Sequence, residues 1–150
     1  MPFIANRGEG WVELNPAPKD SVLISITDPK REKAKVSKLG YLDVLYLCFQ
    51  DYDSEQCRFE GIISNPPDDA VLFTKREAAQ VARFARKHRG KNIIVHCAAG
   101  ISRSGAVAEA LLEAFPEYED QGWKRFPNGR VKTLLKRALG LVPIGAEEEE

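Results

Sequence analysis

Residues 92–115 constrain this chain more than any other stretch. Asn92-Ile93-Ile94-Val95-His96 is a short apolar strand closed by Cys97. A loop of small residues follows, Ala98-Ala99-Gly100-Ile101-Ser102, and then an Ala- and Leu-rich helix from about Ser104 to Phe115. A strand that passes through a glycine loop straight into a helix is a building block of α/β folds. The rest of the chain repeats the alternation. Ser21–Thr27 reads as a buried strand, and Asp28-Pro29 opens a helix that runs to Leu39 and stops at Gly40. Residues 41–49 form a second strand candidate. Thr74-Lys75-Arg76-Glu77 is a capping box for a helix with Ala78, Val81, Ala82 and Ala85 on one face. That helix ends near His88-Arg89-Gly90, where His88 reads as a C-terminal cation. Residues 116–127 read as irregular, and Asn128 caps a last helix from Val131 to Leu139. The expected fold is therefore α/β: three layers, with a central, largely parallel sheet flanked by helices.

Size and charge narrow the function. The chain has 150 residues, 43% of them hydrophobic and 29% charged, which suits one globular domain over 1–143. Its formal net charge is zero, which speaks against a general nucleic-acid binder. Without the run Glu147–Glu150 the remainder carries a net charge of +4, and residues 144–150 read as a solvated acidic tail. No apolar run approaches a membrane span, and the first residues show no charged segment followed by an apolar one. The expectation is a cytoplasmic protein without a membrane partner. Three cysteines lacking Cys-x-x-Cys spacing, with only two histidines, do not suggest a zinc site, and no cofactor is expected.

Chemistry concentrates at Cys97. It has an arginine six positions later, whereas Ser54 and Ile63 hold that place after Cys48 and Cys57. Loop N–H groups and the start of a helix converge there into an anion cradle, whose positive end favours a thiolate at Cys97. Arg103 can hold two phosphate oxygens side by side. Ala98 and Ala99 are small enough to let a phosphate reach the backbone.

His96-Cys97-x-x-Gly100-x-Ser102-Arg103-Ser104 resembles the signature loop of the cysteine-dependent protein tyrosine and dual-specificity phosphatases. Pro127-Asn128-Gly129 resembles the Pro-Asn segment of the dual-specificity branch, and the likeness spans roughly residues 20–139. Neither Trp11 nor Trp123 precedes Pro-Asp, so the acid loop of the larger tyrosine-specific domains is absent. The low-molecular-weight phosphatases carry their loop near the N-terminus, unlike this chain. The resemblance is thus to the compact dual-specificity type. It implies that Cys97 attacks phosphorus and forms a phosphocysteine. Arg103 and the amides of Ala98, Ala99, Gly100, Ile101, Ser102 and Arg103 would hold the phosphate oxygens. Ser104 would hydrogen-bond the thiolate, and His96 would brace the loop and support the low thiol pKa. The general acid would follow the strand 41–49, where Asp51 comes first and Asp53 second, with Asp68 and Asp69 as alternatives in a Pro-Pro-Asp-Asp turn.

The implied substrate is a phosphorylated protein or peptide, with phosphotyrosine and also phosphoserine or phosphothreonine in view. Phosphoinositides, which often call for Lys in the loop, and RNA 5′-phosphates, whose enzymes carry Asn-Arg-Thr at 102–104, are alternatives. So is a binding module that keeps the loop without turnover. Cys48 and Cys57 read as a core residue and a surface-loop residue. A protective disulfide with Cys97 is a further reading, restricted for Cys48 by its place in a strand.

Overall fold

The computed structural model describes residues 1–29, 34, 40–52 and 69–141. Five parallel strands form the sheet: β1 (Phe3–Gly8), β2 (Ser21–Thr27), β3 (Val44–Cys48), β4 (Asn92–Cys97) and β5 (Glu119–Asp120), in the order β3-β2-β4-β1-β5. Among the described residues the helices are α1 (Glu9–Leu14), α2 (Lys75–Lys87), α3 (Arg103–Ala114) and α4 (Gly129–Ala138). The α/β class, the parallel sheet and the flanking helices agree with the expectation from sequence.

Alternation along the strands sorts the core into two faces. Ile4, Val22, Ile24, Ile26, Ile93, Val95 and Cys97 pack with α2, α3 and α4. Ala5, Leu23 and Ile94 turn the other way, against Val12 of α1, Ala34, Trp11 and Tyr41. β2 and β4 are buried along nearly their whole length, which is why their sequences read as unbroken apolar runs.

Several boundaries differ from those expected. The strand expected at 41–49 is Val44–Cys48, β4 extends through Cys97, α3 starts at Arg103 and the last helix starts at Gly129. β1, α1 and β5 were not expected. β1 ends in Asn6-Arg7-Gly8, a polar stretch that hides a strand whose pairing with β4 is its main support. β5 is two residues long, inside the stretch read as irregular. Cys48 is exposed rather than in the core. Most of the helix expected at 28–39, most of the 50–73 loop with Asp53, Cys57 and Asp68, and the acidic tail lie outside the described residues.

The amino edge of the sheet is closed by specific bonds. The Tyr118 hydroxyl accepts from Gly90 N–H at 2.8 Å and donates to Lys91 C=O at 2.8 Å. Asn92 accepts from Phe3 N–H at 3.0 Å and donates to Lys19 C=O at 2.9 Å. Arg89 makes a two-pronged ion pair with Glu117 and lies over the Phe115 ring. His88, at the C-cap of α2, meets Asp43 at 2.9 Å, and that hydrogen bond holds the Asp43 carboxyl below its ordinary pKa.

The capping box at α2 is formed as the sequence requires. Thr74 accepts from Arg76 N–H at 3.3 Å, and Glu77 accepts from Thr74 N–H at 2.9 Å. Thr74→Ala is expected to cost about 1 kcal/mol and to lower the melting temperature by about 3 °C, as read by thermal unfolding followed by circular dichroism.

Candidate active site

The topology opens a crevice at the carboxyl end of β4. The β2–β3 connection contributes Ala34 to one face of the sheet, while the helix after β4 packs on the other. Adjacent parallel strands whose connections leave on opposite faces part above their carboxyl ends, and ligands bind in the gap. The 98–102 loop starts at that carboxyl end of β4 and is seated against the Arg7–Gly8 backbone of β1.

The loop's carbonyls are tied outward. Ala98 C=O accepts from Glu9 N–H at 3.1 Å, Gly100 C=O from Asn6 Nδ2 at 2.6 Å, and Ser102 C=O from Asn128 N–H and Ala106 N–H, both at 3.0 Å. Among the described residues, no acceptor takes the N–H of Ala99, Gly100, Ile101 or Ser102. Bound carbonyls and unspent N–H groups at the start of a helix make an anion-binding concavity. Ala98 and Ala99 are exposed and leave it open. Gly100 makes the geometry possible. Its φ is +80°, and a Cβ there would lie 2.4 Å from the Arg7 carbonyl carbon.

Cys97 Sγ is buried beside this concavity, 3.2 Å from Ser104 Oγ in the first turn of α3. Arg103 is 5% exposed. Its Nη1 donates to Asp28 at 2.8 Å and to Phe49 C=O at 2.7 Å, so the ends of β2 and β3 aim it. Its Nε is buried with no acceptor. An unpaired N–H on a buried guanidinium is costly, and an arriving oxyanion would satisfy it.

Asp51 also reaches the loop. Its Oδ1 accepts from Ser102 Oγ at 2.9 Å and from Asn128 Nδ2 at 2.7 Å. Among the described residues, Oδ2 accepts nothing. Gln50 fastens this segment to Val71 by two bonds of 2.8 Å. Asp69 is exposed and, among the described residues, makes no hydrogen bond to the loop.

His96 is fully buried on the opposite face of the sheet from Cys97 Sγ. Its Nε2 lies 2.6 Å from Ser25 Oγ and its Nδ1 3.4 Å from Cys97 C=O. Burial lowers its pKa from 6.5 to about 4, so the ring is neutral at pH 7. It can brace the strand end, but it has no charge with which to stabilise a thiolate. Cys48 lies on β3, separated from β4 by β2. Two strand spacings, about 9–10 Å, exceed the Cα separation that a disulfide spans, so Cys48 does not pair with Cys97 in this fold.

Three residues here go beyond the sequence reading. Asp28, read as a helix cap, pairs with Arg103. Asn6 holds Gly100 and is itself held by Arg125 at 3.2 Å. Asn128 caps α4 through Val131 N–H, as expected, but also binds Asp51 and the carbonyls of Ser102 and Tyr52. Its place after Pro127, in the segment that resembled the dual-specificity branch, was the available signal. Among the described residues, no cluster of three metal-ligating side chains occurs and no helix is long and apolar enough to cross a membrane. In comparisons with protein-family models, curated proteins and solved structures, nothing matches the chain.

Gly100→Ala is expected to distort the loop, destabilising the fold by about 1–3 kcal/mol and abolishing oxyanion binding, as read by vanadate titration. His96 sets a pH window. Between pH 6.5 and about 4 the unfolded chain binds a proton that the folded one excludes. Stability is therefore expected to fall as the pH drops through that window, by up to about 3 kcal/mol. Urea unfolding at pH 7 and pH 4.5 reads this directly, and His96→Gln should flatten the difference.

Proposed function

We propose that the chain is a cysteine-dependent phosphatase of the compact dual-specificity type, acting on phosphorylated tyrosine and also serine or threonine of proteins. The observation that carries this reading is the arrangement of Cys97 beside a loop with outward carbonyls and unspent N–H groups, next to a buried Arg103 whose Nε lacks an acceptor. Nucleophile and oxyanion clamp share one small volume.

In this reading the Cys97 thiolate attacks phosphorus, the S–P bond forms and the P–O ester bond breaks. Asp51 gives its proton to the departing oxygen. Water then attacks the phosphocysteine, losing a proton to Asp51, and the S–P bond breaks to release inorganic phosphate and the thiolate. Ser104 donates to the sulfur as it leaves. Arg103 and the loop N–H groups hold the equatorial oxygens throughout, with Asp28 keeping the guanidinium aimed. Ser102 and Asn128 both donate to Asp51 Oδ1, which leaves Oδ2 to carry the proton that is transferred.

Hydrolysis of a small aryl phosphate tests the proposal. Cys97→Ser is expected to lose activity by about 10⁴-fold or more, and Arg103→Lys by about 10²–10³-fold. Asp51→Asn should lower kcat by about 10²–10⁴-fold and flatten the basic limb of the pH profile. Undiminished activity in Cys97→Ser would overturn the mechanism. Tight phosphopeptide binding by a wild type without turnover would favour a binding module instead.

A further inference from the structure

Both tryptophans of this chain lie against one arginine. The Arg7 Cζ is 5.0 Å from the Trp11 ring centroid and 5.1 Å from that of Trp123. Indole faces favour a cation but do not neutralise it. Arg7 Nη1 donates to Asn6 C=O at 2.9 Å, yet its Nε is buried without an acceptor. The hydroxyl of Tyr41, which interacts electrostatically with Arg7, is likewise buried without a partner. Among the described residues, no carboxylate lies within ion-pair distance of Arg7. Arg89, Arg103 and Arg125 each meet one. Burial without an anion also holds the Arg7 pKa below the ordinary arginine value. Two orphaned polar groups around an unneutralised cation describe a place for an anion.

The backbone of Arg7 adjoins the candidate active site, while its side chain leaves β1 on the same face as His96. Gly8, the next residue, is in register with Cys97, and the Arg7 backbone is what Gly100 packs upon. Trp123 belongs to the segment that runs through Phe126 to Asn128, which binds the loop at Ser102. Ile101 of the loop and Trp123 and Phe126 of that segment are 40%, 41% and 70% exposed. Exposed apolar side chains on the loop and on the segment that binds it suit a peptide better than a free ion.

We propose that Arg7 is a specificity residue, taking the carboxylate of an acidic side chain next to the phosphorylated residue of a peptide substrate. This rests on the phosphatase reading above and deepens it by naming the substrate class.

The test uses two phosphotyrosine peptides that differ only in having Glu or Gln on both sides of the phosphotyrosine, with a small aryl phosphate as reference. Wild type is expected to favour the Glu peptide in kcat/KM by about five- to tenfold. In Arg7→Gln that ratio should fall to about one. A wild-type ratio near one, or a ratio that survives in Arg7→Gln, overturns the proposal. Because both tryptophans flank Arg7, intrinsic fluorescence gives an independent reading. In the Cys97→Ser protein the Glu peptide should shift the emission and the Gln peptide should not, and equal responses overturn the proposal. This titration decides the matter even if Arg7→Gln fails to fold. If the aryl phosphate is not hydrolysed at all, the phosphatase reading falls, while the titration still decides whether Arg7 takes an acidic side chain.

Discussion

The seating of the 98–102 loop on the end of β1 is the contact on which the rest of the site depends. Gly100 lies so close to the Arg7–Gly8 backbone that no side chain fits between them. Asn6 and Glu9 take the loop's carbonyls from the same strand end. Only a β1 in parallel register with β4, Gly8 beside Cys97, brings these donors to the right height. With the carbonyls of Ala98, Gly100 and Ser102 engaged, the N–H edges of the same peptides point away from those partners, and the loop offers donors without any cationic side chain in it. Neutral composition is therefore no obstacle to anion binding, since the field comes from oriented peptides and from Arg103.

The support for Arg103 comes from elsewhere in the sheet. Asp28 and Phe49 follow β2 and β3, and both bond the same guanidinium nitrogen. Asp51, two residues after Phe49, is held by Ser102 and Asn128. Four strand ends thus contribute to one small region, in keeping with the way parallel sheets gather chemistry at their carboxyl edge. The Asn6–Arg125 contact extends the network to Glu109 and Asp120, so α3 and the segment after β5 also steady the loop.

Features written in short sequence windows were legible before the fold was known. The Thr74–Glu77 capping box, the Asn128 cap, the apolar runs of β2 and β4 and the Cys97–Ser104 loop all depend on neighbours within a few residues. Asp51, singled out for its position after a strand, is found bonded to Ser102 of the loop. What could not be read is what pairs across the chain. Asn6 and Gly100 are separated by 94 positions, and Asp28 and Arg103 by 75. A lone Asn, Asp or Arg carries no local sign of such a partner. β1 escaped for a related reason, because Asn6, Arg7 and Gly8 make up half of its six residues and break the apolar run by which β2 and β4 were read. His96 shows the converse: its position was legible, but its neutral state follows from burial that only the folded sheet reveals.

The two edges of the sheet are built in contrasting ways. At the amino edge, Tyr118 and Asn92 stitch turns to strands with side chains that have spent their hydrogen bonds on the backbone. At the carboxyl edge, donors on the loop, Arg103 and Arg7 are left over. The fold therefore has one end whose polar side chains are paired and one end where, among the described residues, donors remain unpaired. Sequence drift at Tyr118 or Asn92 would lower stability, whereas drift at residues 98–104 would change which donors remain unpaired.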